Sequence, residues 1–597
     1  MRPAVWAPGA NRVRAAIGTD AGRICELGPD PARPGWWQLD TDLAPGTRYG
    51  YLLDDDDTPL PDPRSRRLPD GVHGLTEVYD ENAHDWQDAG WAGRQLAGAV
   101  IYELHIGTFT PGATLDSAIE RLDHLVDLGI SHVELLPLNA FNGVWNWGYD
   151  GVAWYAVHEP YGGPDAFKRF VDACHGRGLA VILDVVYNHL GPSGNYLPRF
   201  GPYLKSGRNT WGDLVNLDGA GSDEVRRYIV DNALMWLRDY HVDGLRLDAV
   251  HALQDSSAAH LLEQLAVEVA ELSGTLGRPL PLIAESDLND PKLITPRGKG
   301  NTVGDPEGGY GLDAQWDDDV HHALHALLTG ERHGYYADFG SLECLAKVFT
   351  RAFFHDGSHS AFRGRGHGRP VDREHTPGWR FVAFLQDHDQ VGNRAAGDRL
   401  PEITSRGRLK IGAMLLFSSP FTPMLWMGEE WAAGTRWPFF TSHPQPELAA
   451  AVSAGRVAEF ADHGWDVSVM PDPQDPATYS HAVLDWSEPG TGSHAEMLEL
   501  YRRLIRLRRE EPSLSDPLLA AVGVDYDTER NWLVVHRGEL RVAVNLAGTE
   551  QDLPVPGASD IVLATDTASL LTGTASLGDR GVAVRLAPES AAVVRVR

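Results

Sequence analysis

DAFKRFVDACHGRGLAVILDVVYNH (165–189) reads as an amphipathic helix, a turn and a strand in succession. Gly178 sits where a helix C-terminal cap belongs, and the run LAVILDVV that follows is apolar without alternation. A strand of that texture is buried on both faces, as in a parallel sheet. Outward from this unit the same alternation recurs on both sides. VIYELHIG (100–107), a helical run AIERLDHLVDLG (118–129) capped by Gly129, and HVELLPL (132–138) come before it. The end of YIVDNALMWLRDYHVDGLRLD (228–248), PLIAES (281–286), GLDAQWD (311–317), RFVAFLQDHD (380–389) and PFTPMLWMGEE (420–430) come after. Eight strand candidates predict an α/β fold built on a closed (β/α)8 barrel, with a doubly wound open sheet as the competing arrangement.

The texture differs at both ends. Residues 1–92 are rich in Pro, Gly and Asp, with short apolar runs such as GWWQL (35–39) and RYGYLL (48–53), which predicts a small β-sandwich resembling a carbohydrate-binding module. DDDDTPLPDPRSRR (54–67) reads as a solvated loop or a linker. The barrel is assigned to 93–512 and a second β-sandwich to 513–597, where WLVVHRGELRVAVNLAG (532–548) turns at Arg537–Gly538 and AAVVRVR (591–597) closes the unit. A chain of 597 residues is too long for one compact core, in keeping with three units. With 52 Lys and Arg against 83 Asp and Glu, the formal charge of −31 disfavours nucleic acid and anionic membranes as partners. Neither a secretory leader nor a long apolar span is visible, and Cys25, Cys174 and Cys344 follow no disulfide or metal spacing. Buried free thiols and a cytoplasmic location are the expectation.

Barrel enzymes assemble their sites at the carboxyl ends of the strands. Here the third strand ends in Asp184, Asn188 and His189, the fourth in Arg246 and Asp248, the fifth in Glu285, and the seventh in His388 and Asp389. A single strand-end Asp is commonly a helix cap, but four strands delivering such groups to one mouth describe a site. Arg246 and Asp248 are two apart and share a strand face, so the guanidinium is expected to keep that carboxylate ionised. Glu285 follows the apolar run PLIA, where desolvation raises a carboxyl pKa. One charged and one protonated carboxyl group is the division of labour that glycosidic cleavage requires.

DVVYNH (184–189), GLRLDAVHA (244–252), IAES (283–286) and HD (388–389) together resemble the four signature regions of the α-amylase family of glycoside hydrolases, in the family's order. That resemblance implies a barrel flanked by two β-sandwiches and a retaining double displacement. It implies Asp248 as nucleophile, Glu285 as general acid/base, and Asp389 as the carboxylate that grips sugar hydroxyls in the transition state. Arg246, His189 and His388 would line the cleaved glucose, Tyr149 in WGYDG (147–151) would stack on it, and Asp184 would be structural. Asp387 stands where a neutral residue is expected and adds a charge beside the site.

Longer stretches resemble one narrower group, the maltooligosyltrehalose trehalohydrolases: 99–125, 132–151, 283–291, 309–331 and 420–443. The implied reaction uses water to cleave the α-1,4 bond next to a terminal trehalose, a step of trehalose biosynthesis from glucan, with maltooligosyltrehalose and related α-glucans as partners. Recognition of the leaving disaccharide is assigned to His251 and Asp287, with Gln390, Asn393 and Arg394 near the mouth. Phe141, Trp145, Trp147, Trp431 and Trp437 are candidate sugar shelves or packing residues, and the acids 317–319 either cap a helix or touch substrate. The rival enzyme is a glycogen branching enzyme; the rival from another class is a non-catalytic glucan-binding barrel. No cofactor is expected, nor a metal: Asn188 matches a calcium-holding position of many α-amylases but is read as a hydrogen-bonding strand-end residue. The oligomeric state does not follow from the sequence.

Overall fold

The computed structural model describes the chain except for residues 20–21, 299–307, 463–466 and 573–581. Eight parallel strands form a closed barrel: β1 (Ile101–Leu104), β2 (His132–Leu135), β3 (Ala180–Val185), β4 (Gly244–Leu247), β5 (Leu282–Ala284), β6 (Ala314–Trp316), β7 (Phe381–Phe384) and β8 (Thr422–Trp426). β8 pairs back onto β1 through Met424↔Ile101 and Trp426↔Glu103, which rules out the open sheet. Each strand lies within one of the eight runs singled out above. The helix before β3 spans Gly163–His175 with its C-cap at Gly176 rather than at Gly178, which takes the left-handed conformation (φ 76°) in the turn two residues on; Gly129 is the left-handed C-cap of its own helix (φ 99°).

The interior explains the absence of alternation. Ile101, Ile182, Ile283, Ala314, Trp316, Val382, Phe384 and Met424 form one cluster that plugs the barrel. Val133, Leu135, Val181, Leu245 and Leu247 belong instead to the larger core. Side chains two apart share a face, so Glu103, Asp184 and Glu285 stand one layer above Ile101, Ile182 and Ile283, toward the strands' carboxyl ends. Glu134 and Arg246, each between two outward-facing apolar neighbours, also point inward. The barrel thus has an apolar floor with a polar layer directly on it.

Two antiparallel sheets make the N-terminal sandwich, including Trp36–Gln38 and Arg48–Leu53 as anticipated. The 54–67 segment departs from a solvated loop in its second half. Asp62 is buried and accepts from the hydroxyls of Tyr49 (2.7 Å) and Tyr51 (3.1 Å). Beyond it, Arg64 reaches Tyr155 and Asp231, Arg66 reaches Asp239, and Arg67 reaches Glu159, so the segment straps the sandwich to the barrel. Of the cysteines, Cys174 and Cys344 are buried, while Cys25 is half-buried on a sandwich strand. Among the described residues no helix is long and apolar enough to cross a membrane.

The C-terminal sandwich pairs a five-stranded with a three-stranded sheet around Trp532, Val534, Leu553, Val584 and Val594. It is tied to the barrel by buried guanidinium groups. Arg508, on the helix Gly492–Glu510, donates to the carbonyls of Phe417, Ser419, Phe421 and Leu514 at 2.6–3.0 Å. Arg537 donates to Leu514 and Asp516. Burial, and then the Arg537 charge, push the Arg508 guanidinium down to about 9. Replacing Arg508 by Met would leave four buried carbonyls without this donor, a loss of at least about 3 kcal/mol. The apparent thermal unfolding midpoint should fall by about 2 °C or more, measured by calorimetry; an unchanged midpoint would show that the carbonyls find other donors.

Candidate functional site

Arg246 organises the polar layer. In register beside Asp184 on the neighbouring strand, it donates through Nη1 to Asp184 Oδ2 and to Asp248 Oδ1, both at 2.7 Å. Its Nη2 lies 3.6 Å from Glu285 Oε2, and its guanidinium carbon 4.4 Å from the Trp316 ring centre. One nearly buried cation therefore contacts carboxylates from three adjacent strands. Asp248 is also held by Asn188, whose amide donates to Oδ2 (2.7 Å) and to the backbone carbonyl (3.1 Å). The Asn188 carbonyl oxygen faces His189 Nδ1 at 2.7 Å, so this carboxamide is a hydrogen-bonding strand-end group at both ends. Among the described residues no group of three or more His, Cys, Asp or Glu is arranged to hold a metal ion.

The chain kinks directly after Asp248. Ala249 lies in the left-handed region (φ 40°, ψ 52°), a strain of about 1–2 kcal/mol for a residue with a Cβ. The kink turns the Ala249 N–H onto Glu285 Oε2 at 2.5 Å, while Val250 N–H meets the Glu285 carbonyl. Asp248 and Glu285 are thereby fixed to one another through backbone as well as through Arg246. Burial raises the Glu285 carboxyl well above its usual range; Arg246 opposes that rise, and Asp248, Asp318 and Asp389 reinforce it. Asp184 is pushed up to about 6 by burial despite Arg246.

From β7, His388 and Asp389 open a short helix capped by Asp387, whose carboxylate accepts the Gln390 N–H at 2.6 Å. Asp387 is buried, and that burial raises its carboxyl well above the usual range. It is a cap. Asp389 is half exposed and accepts from Asn393 at 3.0 Å. Tyr149 stacks on the His388 ring at 5.1 Å, and its hydroxyl donates to Asp184 Oδ2 (2.7 Å) and lies 2.8 Å from His388 Nε2. Asp184, Tyr149, Arg246, Asp248, Glu285, His388 and Asp389 are thus brought together at the carboxyl ends of the strands.

Other expected contacts change. His189 lies beside the cluster with both ring nitrogens engaged, Nδ1 on Asn188 and Nε2 on the Tyr149 carbonyl at 3.0 Å. Arg394 is a structural cation: it forks onto both oxygens of Glu331 (2.8 and 2.9 Å) and bonds Asp398, and these carboxylates offset the cost of burying its charge. Gln390 accepts from the Tyr335 hydroxyl at 3.0 Å, and Asn393 receives Arg456. Phe141, Trp431 and Trp437 are buried packing residues; Trp147, nearly buried, stacks on Trp437, and Trp145 stacks on Tyr479. Asp317 caps the helix Asp318–Thr329, and Asp319 accepts from Asn289 and from the backbone of Phe354 and His355. Asp318 is pushed up to about 7 by burial and by the charge of Asp287. His251 and Asp287 lie 4.0 Å apart, with Arg363 on Asp287 at 3.0 Å and the half-exposed Trp211 beside His251 and His189.

Sequence reasoning missed Arg363 and Trp211, which come from loops, and also Glu103 and Glu134. The last two had a signal: each is an acid flanked by apolar residues inside a barrel strand, in IYEL and HVEL.

The α-amylase catalytic-domain family matches residues 79–213, and a domain family of unknown function matches 517–593. The chain is 60% identical over 557 residues to the malto-oligosyltrehalose trehalohydrolase of Arthrobacter ramosus, covering 93% of this chain and 94% of that one. It is 55% identical over 594 residues to that of Rhizobium sp. (strain M-11), covering 99% and 97%. The chain belongs to the malto-oligosyltrehalose trehalohydrolase family. It is a glycoside hydrolase. A crystal structure of a putative α-amylase from Salmonella typhimurium superposes with a TM-score of 0.87 at 36% identity, covering 100% of this chain and 97% of that one. Likeness to the 1,4-α-glucan branching enzyme of Rhodospirillum rubrum, 33% identical, reaches 42% of this chain and 37% of that enzyme.

Because Nη1 of Arg246 serves two carboxylates at once, Arg246→Lys keeps the charge but loses the fork. Steady-state assays should show kcat reduced about 100-fold or more in a folded protein; a rate near that of the unmodified enzyme would show that the fork is dispensable.

Proposed function

We propose that this chain hydrolyses the α-1,4-glucosidic bond next to the terminal trehalose of maltooligosyltrehalose, releasing free trehalose and a shortened maltooligosaccharide with retention of configuration. The observation that carries the mechanism is the joint grip on Asp248 and Glu285, held by one guanidinium and by the Ala249 kink. Retaining glycosidases place two carboxyl groups close enough for one to attack the anomeric carbon while the other protonates the leaving oxygen.

In this reading Glu285, raised by burial, delivers its proton to the glycosidic oxygen as Asp248 forms a covalent bond to the anomeric carbon. Glu285, now ionised, takes a proton from water, whose oxygen displaces Asp248. Asp389, half exposed at the rim of the same cluster, holds the hydroxyls of the reacting glucose, with Tyr149, Arg246 and His388 around its ring. His189 supports that ring through the Tyr149 backbone. The trehalose end lies toward His251 and Asp287, and Gln390 and Asn393 form the wall behind Asp389. We place the reaction in the cytoplasm, where α-glucan is made.

Incubation with maltooligosyltrehalose should yield free trehalose by chromatography; new α-1,6 branches would favour the branching enzyme instead. Proton NMR should show the new reducing end of the maltooligosaccharide first as the α anomer, and initial appearance of the β anomer would overturn retention. Glu285→Gln should lower kcat by about 1,000-fold or more with oligosaccharide binding retained.

The pH profile carries a sign. Glu285 must be protonated to act as the acid, so activity is present below its pKa and is lost as pH rises through it. Since burial raises that pKa, the alkaline limb of kcat/KM should lie above the ordinary carboxylate range.

A further inference from the structure

Beside the residues assigned to the reaction lies an acid they do not include. Glu103, on β1, is buried, and its two oxygens both meet one residue. Oε1 lies 2.5 Å from His388 Nδ1, and Oε2 accepts the backbone N–H of His388 at 3.1 Å. On the other edge of the imidazole, Nε2 is 2.8 Å from the Tyr149 hydroxyl. That hydroxyl donates to Asp184 Oδ2, which also receives Arg246 Nη1, so its lone pairs are left for the imidazole and Nε2 must carry hydrogen. The contact at Nδ1 then holds a single proton, either on the imidazolium or on the carboxyl group.

We propose that Glu103 is a positioning residue: by holding both the ring and the backbone N–H of His388, it fixes the ring with Nε2–H toward Tyr149 and sets the course of the chain into Asp389. It acts from behind His388, without touching substrate. A shift of about 1 Å at a reacting centre can cost two orders of magnitude in rate, so a buried anchor on the neighbouring residue has leverage. The groups facing the pair are Glu134 from β2, Asp184 from β3, Arg246 from β4, Asp387 and Asp389 on either side of His388, and His105. The aromatic rings of Trp147, Tyr149, Trp316 and Trp426 surround the imidazole. With carboxylates from several strands nearby and Arg246 as the close cation, a role for Glu103 as a further negative charge is the alternative that the test must separate from positioning.

The inference rests on the reading of His388 and Asp389 as glucose-holding groups, and two conservative variants distinguish the cases. Glu103→Gln removes the charge but keeps the reach: its carbonyl can accept the His388 N–H while its amide donates to Nδ1. Glu103→Asp keeps the charge but withdraws it by one methylene. Positioning predicts that the Asp variant loses about 10- to 100-fold in kcat with KM changed by less than about threefold, and that the Gln variant stays within about fivefold of the unmodified enzyme. An Asp variant of full activity, or a Gln variant slower than the Asp variant, overturns it. Both are compared with Glu285→Gln in the same assay. If Glu285→Gln remains active, the reading of the site itself fails; if it is inactive and the order of the Glu103 variants is reversed, the role of Glu103 alone fails.

Discussion

The guanidinium of Arg246 lies inside the barrel within reach of carboxylates from β3, β4 and β5, with Glu103 and Glu134 beyond them. Two unit charges about 4 Å apart interact by roughly 4 kcal/mol at the effective dielectric of a protein near its surface, and more strongly deeper inside. Without a cation, that many acids in a dry barrel would neutralise by taking up protons. Arg246 Nη1 holds Asp248 at 2.7 Å, and burial pushes the Glu285, Glu103 and Glu134 carboxyls up, with the Arg246 charge opposing that rise. In the proposed mechanism, the division between attacking and protonating groups rests on where this one side chain sits.

The barrel makes that placement possible. Ile101, Ile182 and Ile283 form part of a rigid apolar floor, and the pleat puts an acid directly above each of them. Residues that must keep a fixed geometry are thus carried on strands, while the groups around the proposed leaving-group side, Asp287, Arg363 and Trp211, sit on the loops above. Barrel enzymes commonly vary their loops around a constant strand-end site, and family membership here agrees with that arrangement.

Much of this was legible in the sequence because it depends on local pattern. Uninterrupted apolar runs announced the eight strands, and acids and histidines at their ends announced the cluster. Partner choice was not legible. Arg394 follows His388 and Asp389 closely enough to look like a site residue, yet Glu331, 63 positions earlier, claims it. Trp431 and Trp437 look like sugar shelves until tertiary packing covers them. The strap at 61–67 reads as a polar loop because its arginines find their acids on distant barrel segments. Glu103 and Glu134 stand inside short strands whose last residue is apolar, so no further polar group at the strand end marks them.

The paired arginines at the base of the C-terminal sandwich bear on how this architecture tolerates rearrangement. Arg508 comes from the last barrel helix and Arg537 from the sandwich, and both end on the Leu514 carbonyl. The connecting segment is therefore a keystone shared by two modules rather than a hinge between them. A chimera that exchanged the C-terminal module at residue 512 would inherit one arginine from each parent, and would be sound only where both parents bend the segment around 514 in the same way.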